Sequence, residues 1–340
     1  MSDADGDIDI EDIEDIESIE DIEDADLDLL REGAREFLTG RVEQDSLKEL
    51  AAMDWTGLLV EEKLGGSGWR PVETTVIAEE LGRARNSSAW FGCVLAAAAL
   101  ASAPDDVRAR RLRPMLDGTA IAACALSGGT VRVTAGGSLD ILIMLGSNGI
   151  HLIEVSDAMP RSHDDELLDV GRAAWRMDVS GADSVLIGGP ERADLLLAVA
   201  RVLLSADSLG AMSATFERLV SYLKERIAFG VPIASFQAVQ HRLVDLLVLE
   251  AKARAVIMKA ARAVGSEEIS DDAIALSAAA HAFVAARATA AVDECMQLSG
   301  GIGFTWEYPL HHELRRVFTN AYLLGTARAS RALLADKAGW

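Results

Sequence analysis

The sequence predicts a mainly α-helical fold with a central β-domain, ordered as an N-terminal helical domain, a short β-domain and a C-terminal four-helix bundle. Alanine-rich stretches with apolar residues at helical spacing predict helices on both sides of the middle of the chain. Between them, residues 119–190 contain β-branched runs punctuated by glycine pairs, which are typical of strands and turns. Such a segregated order favours separate helical and β units.

The first 25 residues are predicted to be an acidic, low-complexity tail. Its isoleucines recur every third residue, a spacing that drifts around a helix and forms no lasting apolar stripe. Of the net charge of −22, −15 lies in residues 1–28, which leaves −7 for the rest of the chain. An acidic docking arm is the alternative interpretation of this segment.

Residues 26–117 are predicted to form the N-terminal helical domain. Apolar residues recur at helical spacing from Asp26, and residues 73–82 and 89–103 predict two further helices. A glycine-rich segment at residues 65–68 interrupts the chain after the first of these helices.

The reduced β-domain is expected at residues 118–191 and the helical bundle at residues 192–340. Residues 130–134 and 141–145 are the clearest strand candidates. The bundle helices are predicted at residues 193–226, 237–264, 271–298 and 317–337.

Charge and composition argue against several functional classes. The acidic net charge disfavours binding to nucleic acid and to anionic membrane surfaces. No uncharged apolar run reaches the ~18 residues typical of a membrane span, and the acidic N-terminus is unlike a signal peptide. Cys93, Cys124 and Cys295 lie far apart, so we expect no disulfide framework and no metal site, and a cytoplasmic location.

Three motifs resemble those of the acyl-CoA dehydrogenase family. Residues 58–68, LLVEEKLGGSG, are similar to a glycine-rich loop of the family, with Glu61 in place of its proline. Residues 226–237, RIAFGVPIASFQ, are close to its signature between two long helices, and residues 297–309, QLSGGIGFTWEYP, match a third motif. The resemblance runs from residue 27 to 335 and implies an FAD-dependent acyl-CoA dehydrogenase, although Arg316 stands where the family has an aspartate.

The resemblance also implies a set of cofactor-binding residues that approach a flavin held mainly by the neighbouring subunit. These residues are Arg226, Phe229, Ile233, Gln297, Gly300 and Gly301. Arg226 would pair with the flavin pyrophosphate, because a planar guanidinium binds phosphate at two points. The alternatives are a helix-end arginine that complements the helix dipole and, for the two glycines, a plain helix stop.

The family reaction requires a carboxylate base that removes a proton from Cα of the acyl thioester while a hydride leaves Cβ for the flavin. Counting from the Glu-Tyr-Pro motif places Leu324 at the usual position of this glutamate, and counting back from Arg226 places Ala200 at the alternative position. Neither side chain can take a proton, so we assign no catalytic residue. Arg201, which the family places beside its acyl-CoA pocket, is a candidate substrate-binding residue; an ordinary exposed helix arginine is the alternative.

The missing base and the atypical segment ALSGGT at residues 125–130 predict a division of labour between subunits. The chain resembles the glutamate-lacking subunit of actinobacterial heterotetrameric acyl-CoA dehydrogenases of steroid side-chain breakdown. This resemblance implies a glutamate-bearing partner subunit, an acyl-CoA substrate and electron-transfer flavoprotein as the acceptor. The alternatives are a flavin-dependent monooxygenase on the same fold and a structural subunit that binds no flavin.

Overall fold

The computed structural model describes residues 25–39, 47–135, 138–156, 159–163 and 168–340. The predicted acidic tail lies outside these residues except for its last position. Within them, the order of helices, strands and helices confirms the predicted fold class.

The N-terminal unit packs five helices and a short strand pair, within the residues described. The helices are α1 (25–38), α2 (Leu47–Ala52), α3 (Pro71–Arg83), α4 (Trp90–Ala101) and α5 (Asp105–Leu116), and the strands are β1 (Leu59–Val60) and β2 (Gly68–Trp69). Pro71 begins α3, where its fixed φ suits the first helical turn. The apolar helix α4 is buried along almost its whole length, so it forms the centre of this unit.

The middle of the chain forms two small sheets. The strands are β3 (Ala122–Leu126), β4 (Thr130–Thr134), β5 (Ile141–Gly146), β6 (Gly149–Glu154), β7 (Arg161–His163), β8 (Ala174–Asp178) and β9 (Val185–Gly188). One sheet has the order β3-β5-β6-β9 and the other has the order β4-β8-β7. Side chains alternate along β5, so Ile141 and Ile143 join the main core with the helices, whereas Leu142 and Met144 pack between the sheets.

The C-terminal unit consists of three long helices and two shorter ones. They are α6 (Pro190–Glu225), α7 (Gln237–Ala263), α8 (Asp271–Leu298), α9 (Leu310–Asn320) and α10 (Ala327–Lys337), with β10 (Ile227–Ala228) and β11 (Val231–Pro232) between α6 and α7. The prediction of one helix over residues 317–337 is wrong. Gly325 has a φ of 110°, and the Thr326 hydroxyl accepts a hydrogen bond from Ala329 N (3.1 Å), which caps a new helix.

Helices α3 and α6 cross in close contact because each has a glycine at the crossing. A Cβ atom on Gly210 would lie 1.8 Å from the carbonyl oxygen of Glu79, and one on Gly82 would lie 2.0 Å from that of Asp207.

By length and composition α6 and α8 could each span a membrane, but 89% of the apolar stretch of α6 is buried inside the fold.

Candidate functional site

A tight hairpin after α6 holds Arg226 and Phe229 at the surface. Backbone hydrogen bonds from Arg226 N to Tyr222 O (2.9 Å) and from Ile233 N to Arg226 O (2.9 Å) close its base. Phe229 and Gly230 have φ values of 53° and 83°, as a two-residue hairpin turn requires. The Phe229 ring is 98% exposed, whereas Ile233 packs partly buried against the main core. An aromatic ring in solvent on a left-handed backbone indicates a contact surface.

The Arg226 side chain is exposed and is not engaged within the chain. Among the residues described, its guanidinium forms no hydrogen bond or ion pair. Arg226 is the C-terminal cap of α6 and has an extended backbone, so its guanidinium is available to an anion from outside. The same position also suits an arginine that complements the helix dipole.

The turn after α8 presents Gln297, Gly300 and Gly301 at the surface. Gly300 has a φ of 67°, the left-handed conformation that ends many helices. Gly301 has no such constraint, and a Cβ atom built there would meet no atom within 4 Å. By contrast, a Cβ atom on Gly303 would lie 2.4 Å from the carbonyl oxygen of Met296, so packing within the chain requires that glycine.

Tyr308 connects these two surface features at one end of the bundle. Its ring lies 5.8 Å from that of Tyr222 in the last turns of α6, and its hydroxyl donates a 3.4 Å hydrogen bond to Arg218 O. Because α6 and α8 run in the same direction through the bundle, their C-terminal ends lie at the same end of it. A free guanidinium, an exposed phenyl ring and an uncovered glycine backbone together fit the pyrophosphate and aromatic parts of a flavin nucleotide.

The two positions of the family base are apolar and buried. Leu324 is 3% exposed in the turn between α9 and α10, and Ala200 is fully enclosed on α6. No proton can be taken at either position. Leu203 and Leu204, one turn beyond Ala200, line a cavity of only about 30 Å³, which is room for little more than one water molecule.

Arg201 is partly buried and makes no side-chain hydrogen bond or ion pair with any residue described. Burial lowers its pKa, and the charge of Asp194 opposes that shift. Its close neighbour His281 is 2% exposed, with Nδ1 2.8 Å from the Ser330 hydroxyl and Nε2 without a hydrogen bond among the described residues. Burial, reinforced by the charge of Arg201, lowers the pKa of His281 to about 4. His281 is therefore neutral at pH 7.

A buried ion pair fills the interior beside these positions. Arg316 forms hydrogen bonds to both carboxylate oxygens of Asp207, at 2.8 and 2.6 Å, and Asn320 donates to Asp207 at 2.6 Å. Burial favours a higher pKa for Asp207, but the Arg316 charge and these hydrogen bonds hold that pKa below its ordinary value. Arg316, seen in the sequence only as a departure from the family aspartate, thus has its counter-charge on α6.

The motifs identified the surface residues but not the interior ones. Contiguous signatures contain Arg226, Phe229 and Gly301, whereas His281 stands alone in an alanine-rich helix. The one available signal was a polar side chain on an otherwise apolar helix face. That pattern does not reveal which side chains approach it from other helices.

Sequence models of the acyl-CoA dehydrogenase family match most of the chain. The N-terminal domain of the family matches residues 25–119, and its C-terminal domain matches residues 188–339. Acyl-CoA dehydrogenase IpdE2 of Mycobacterium tuberculosis is 34% identical over 273 residues, which cover 80% of this chain and 79% of the relative. Acyl-CoA dehydrogenase IpdE2 of Mycolicibacterium smegmatis is 30% identical over 271 residues and covers 80% of each chain.

Solved structures show the same fold. A variant of the Tcur3481-Tcur3483 steroid ACAD superposes with a TM-score of 0.79 at 24% identity, covering 93% of this chain and 98% of that one. The ChsE4-ChsE5 complex from Mycobacterium tuberculosis gives a TM-score of 0.77 at 20% identity, covering 92% and 97%. Butyryl-CoA dehydrogenase from Megasphaera elsdenii gives a TM-score of 0.76 at 19% identity, covering 92% and 98%. With the relatives that cover most of its length, these matches show that the chain belongs to the FAD-dependent acyl-CoA dehydrogenase family.

Proposed function

We propose that this chain is the base-lacking subunit of a heteromeric acyl-CoA dehydrogenase and that it completes a flavin site held by a glutamate-bearing partner subunit. The observation that carries this proposal is a contrast within the chain. Both base positions, Leu324 and Ala200, are buried and apolar, whereas the flavin-side residues Arg226, Phe229 and Gly301 are exposed.

Each flavin-side residue has a defined task in this proposal. FAD, when bound, accepts the hydride that leaves Cβ of the acyl thioester. Arg226 would hold the pyrophosphate with its guanidinium, and Phe229 would exclude water from the cofactor. Gly301 lets the backbone approach closely, with Gln297, Gly300 and Ile233 completing the surface. The proton at Cα is removed by the partner's carboxylate.

The outer face of α7 supports a partner subunit. Val244, Leu247 and Val248 are 54%, 53% and 44% exposed and lie on one helical face. Adjacent exposed apolar side chains on one helix are typical of protein interfaces. The structural relatives whose names give two components, Tcur3481-Tcur3483 and ChsE4-ChsE5, make a homologous partner in a heterotetramer the best candidate.

We propose the substrate class from the names of the relatives and not from a feature of this chain. One structural relative is named a steroid ACAD, so we assign a steroid-derived acyl-CoA as the substrate. Electron-transfer flavoprotein is the proposed electron acceptor, and the cytoplasm is the proposed location.

Arg226 offers the most direct test. In the co-expressed complex, Arg226→Ala removes a charge-assisted contact, so flavin affinity should fall by about one to two decades. Arg226→Lys should restore only part of this affinity, because an ammonium group cannot bind phosphate at two points. Flavin titration into the apo-complexes measures both effects, and Arg331→Ala, at an exposed arginine of α10, is the matched control.

The outcomes separate this proposal from its alternatives. Equal flavin affinity in the wild-type and Arg226→Ala complexes would refute the proposed contribution of Arg226 to the partner's flavin site. It would favour the alternative of a structural subunit that binds no flavin. Oxygen consumption with reduced flavin, without acyl-CoA oxidation, would identify a monooxygenase instead.

A further inference from the structure

A second cavity, of about 420 Å³, lies between the α3–α4 loop, residues 169–171 and the start of α9. The charged and polar side chains on its wall that bear on its chemistry are Arg85, Ser87, Asp169, His312 and Arg316. None of them belongs to the hairpin or to the turn after α8. The proposed flavin surface therefore does not account for this cavity.

Two potential hydrogen-bond donors on this wall form no hydrogen bond within the described residues, and a third is held there only by a long ion pair. The Ser87 hydroxyl and the His312 ring nitrogens form no hydrogen bond with any described residue. Arg85 Nε lies 3.7 Å from Glu313 Oε1, which is too far for a hydrogen bond. A hydroxyl, an imidazole and a guanidinium from two separate elements thus face the same space.

The remaining charges on the wall are balanced by their own partners. Arg316 is paired with Asp207, and Arg172 Nε lies 2.5 Å from Asp169 Oδ2. These two pairs carry no net charge. The cavity wall is therefore not acidic, although the chain as a whole carries a net charge of −22.

The surplus charge near the cavity is positive and belongs to Arg85. Glu313 is completely buried, and Arg218 already donates a 2.9 Å hydrogen bond to its Oε1 atom. One carboxylate is thus shared by two guanidinium groups, of which Arg218 is the closer. Arg85 keeps most of its capacity to bind another anion.

The backbone of Arg85 has the left-handed conformation at the end of helix α3, beside the cavity. Its φ is 54°, and hydrogen bonds from Arg85 N to Gly82 O (3.1 Å) and from Asn86 N to Leu81 O (2.9 Å) end helix α3 around it. Glycine is the usual residue at such a left-handed helix end, because a side chain there is sterically disfavoured. Strain of this kind clusters at ligand-binding positions.

We propose that this cavity binds a phosphate group through Arg85, Ser87 and His312. A phosphate offers several acceptor oxygens, which suits a wall whose free groups include a guanidinium fork and a hydroxyl. Pro309 also lines the cavity at the start of α9, where free backbone N–H groups favour an anion. The phosphate is either free in solution or part of a larger molecule such as a phosphorylated nucleotide.

The test uses the purified full chain and inorganic phosphate as the probe. Phosphate should raise the melting temperature of the wild type more than sulfate or acetate does at equal ionic strength. Arg85→Gln should weaken phosphate binding about tenfold or more, since it removes a charged donor. Arg85→Gly removes the same guanidinium while relieving the left-handed strain, so it provides a variant that folds.

Arg218→Gln is the matched control, because Arg218 also pairs with Glu313 but does not line this cavity. The proposal requires that Arg218→Gln retain the phosphate response although it perturbs the same buried carboxylate. If both arginine variants lose the response equally, or if phosphate has no Arg85-dependent effect, the proposal is overturned and Arg85 serves only to balance Glu313.

Two further titrations distinguish free phosphate from a phosphate carried by a nucleotide. Adenosine 3′,5′-bisphosphate and coenzyme A are titrated beside inorganic phosphate into the wild type and Arg85→Gly. Tighter, Arg85-dependent binding of the nucleotides supports a phosphate carried by a cofactor or substrate. Equal affinities support free phosphate, and nucleotide binding that is indifferent to Arg85 counts against the site.

Discussion

At the scale of single residues, His281 is the buried titratable group with the clearest consequence. Its ring lies between α8 and α10, and burial together with Arg201 lowers its pKa to about 4. In the unfolded chain a histidine takes up its proton near pH 6.5, whereas the folded chain takes it up only near pH 4. The unfolded state therefore binds more protons in this window, and stability is lost as the pH falls through it.

We expect His281→Gln to flatten the pH dependence of unfolding between pH 6.5 and 4. The wild type should lose on the order of 3 kcal/mol over this window through His281 alone, because each pKa unit corresponds to about 1.4 kcal/mol. Urea unfolding at pH 7 and at pH 4.5 measures the difference for each protein. His241→Gln, at an exposed histidine, should keep the wild-type slope; a wild-type slope in His281→Gln would contradict the assignment.

Candidate site residues that lie inside contiguous motifs could be predicted from the sequence. Residues that are brought together only by the packing of distant elements could not. Arg226 and Gly301 lie in short stretches whose spacing is characteristic on its own. Arg85 lacks such a signal, because its distance from Glu313 on α9 depends on how distant parts of the chain pack.

At the scale of secondary-structure elements, the crossing of α3 and α6 depends on Gly82 and Gly210. Gly210 lies in the interior of α6, where glycine costs about 1 kcal/mol relative to alanine, and Gly82 lies in the last turn of α3. The close approach offsets that cost, because the backbones of α3 and α6 come near enough to leave no room for a Cβ atom at either glycine. Helix propensity alone would favour alanine over glycine at both positions.

Gly210→Ala should destabilise the protein by about 3 kcal/mol or more, because its methyl group would meet backbone atoms that cannot move independently. Gly33→Ala is the matched control, since Gly33 lies inside α1 and a Cβ atom there meets nothing within 4 Å. That substitution should stabilise the protein by about 0.5–1 kcal/mol. Chemical unfolding measures the change in the free energy of unfolding for both variants, which we expect to have opposite signs. Similar changes in the two variants would show that the crossing of α3 and α6 can accommodate a methyl group.

The long helices were predicted well because their apolar periodicity extends over many turns. α8 spans Asp271–Leu298, the range that its sequence pattern predicts. The break between α9 and α10 was missed although Gly325-Thr326 carries both a helix-stop and a helix-start signal. The flanking apolar residues Leu323 and Leu324 extend the helical pattern across the turn and hide this signal.

At the scale of the whole molecule, the two positions where the family places its base, Leu324 and Ala200, are both apolar and buried. The chain purified alone should therefore oxidise no acyl-CoA at a measurable rate, because a positioned base contributes about 10²–10⁴ in rate. Co-expression with a glutamate-bearing homologue should give a yellow complex that oxidises acyl-CoA. Turnover by the isolated chain, assayed with an artificial electron acceptor, would refute the division of labour.

Leu324→Glu should not restore activity to the isolated chain. The new carboxylate would lie at a position that is 3% exposed, so burial would disfavour its charged form. The assay is acyl-CoA oxidation with added FAD, and the free energy of unfolding shows whether the variant folds. Activity in this single variant would mean that the interior already accepts the substrate.

The Asp207–Arg316 pair also constrains the evolutionary history open to this chain. Arg316 stands where the resemblance to the family expects an aspartate, and it donates hydrogen bonds to both carboxylate oxygens of Asp207. Removing either charge first leaves the other buried and unpaired, at a cost of about 3–5 kcal/mol, which is a large part of the stability of a typical domain. A lineage that carries this pair is therefore expected to keep both residues or to replace both together, because each single replacement passes through a less stable protein.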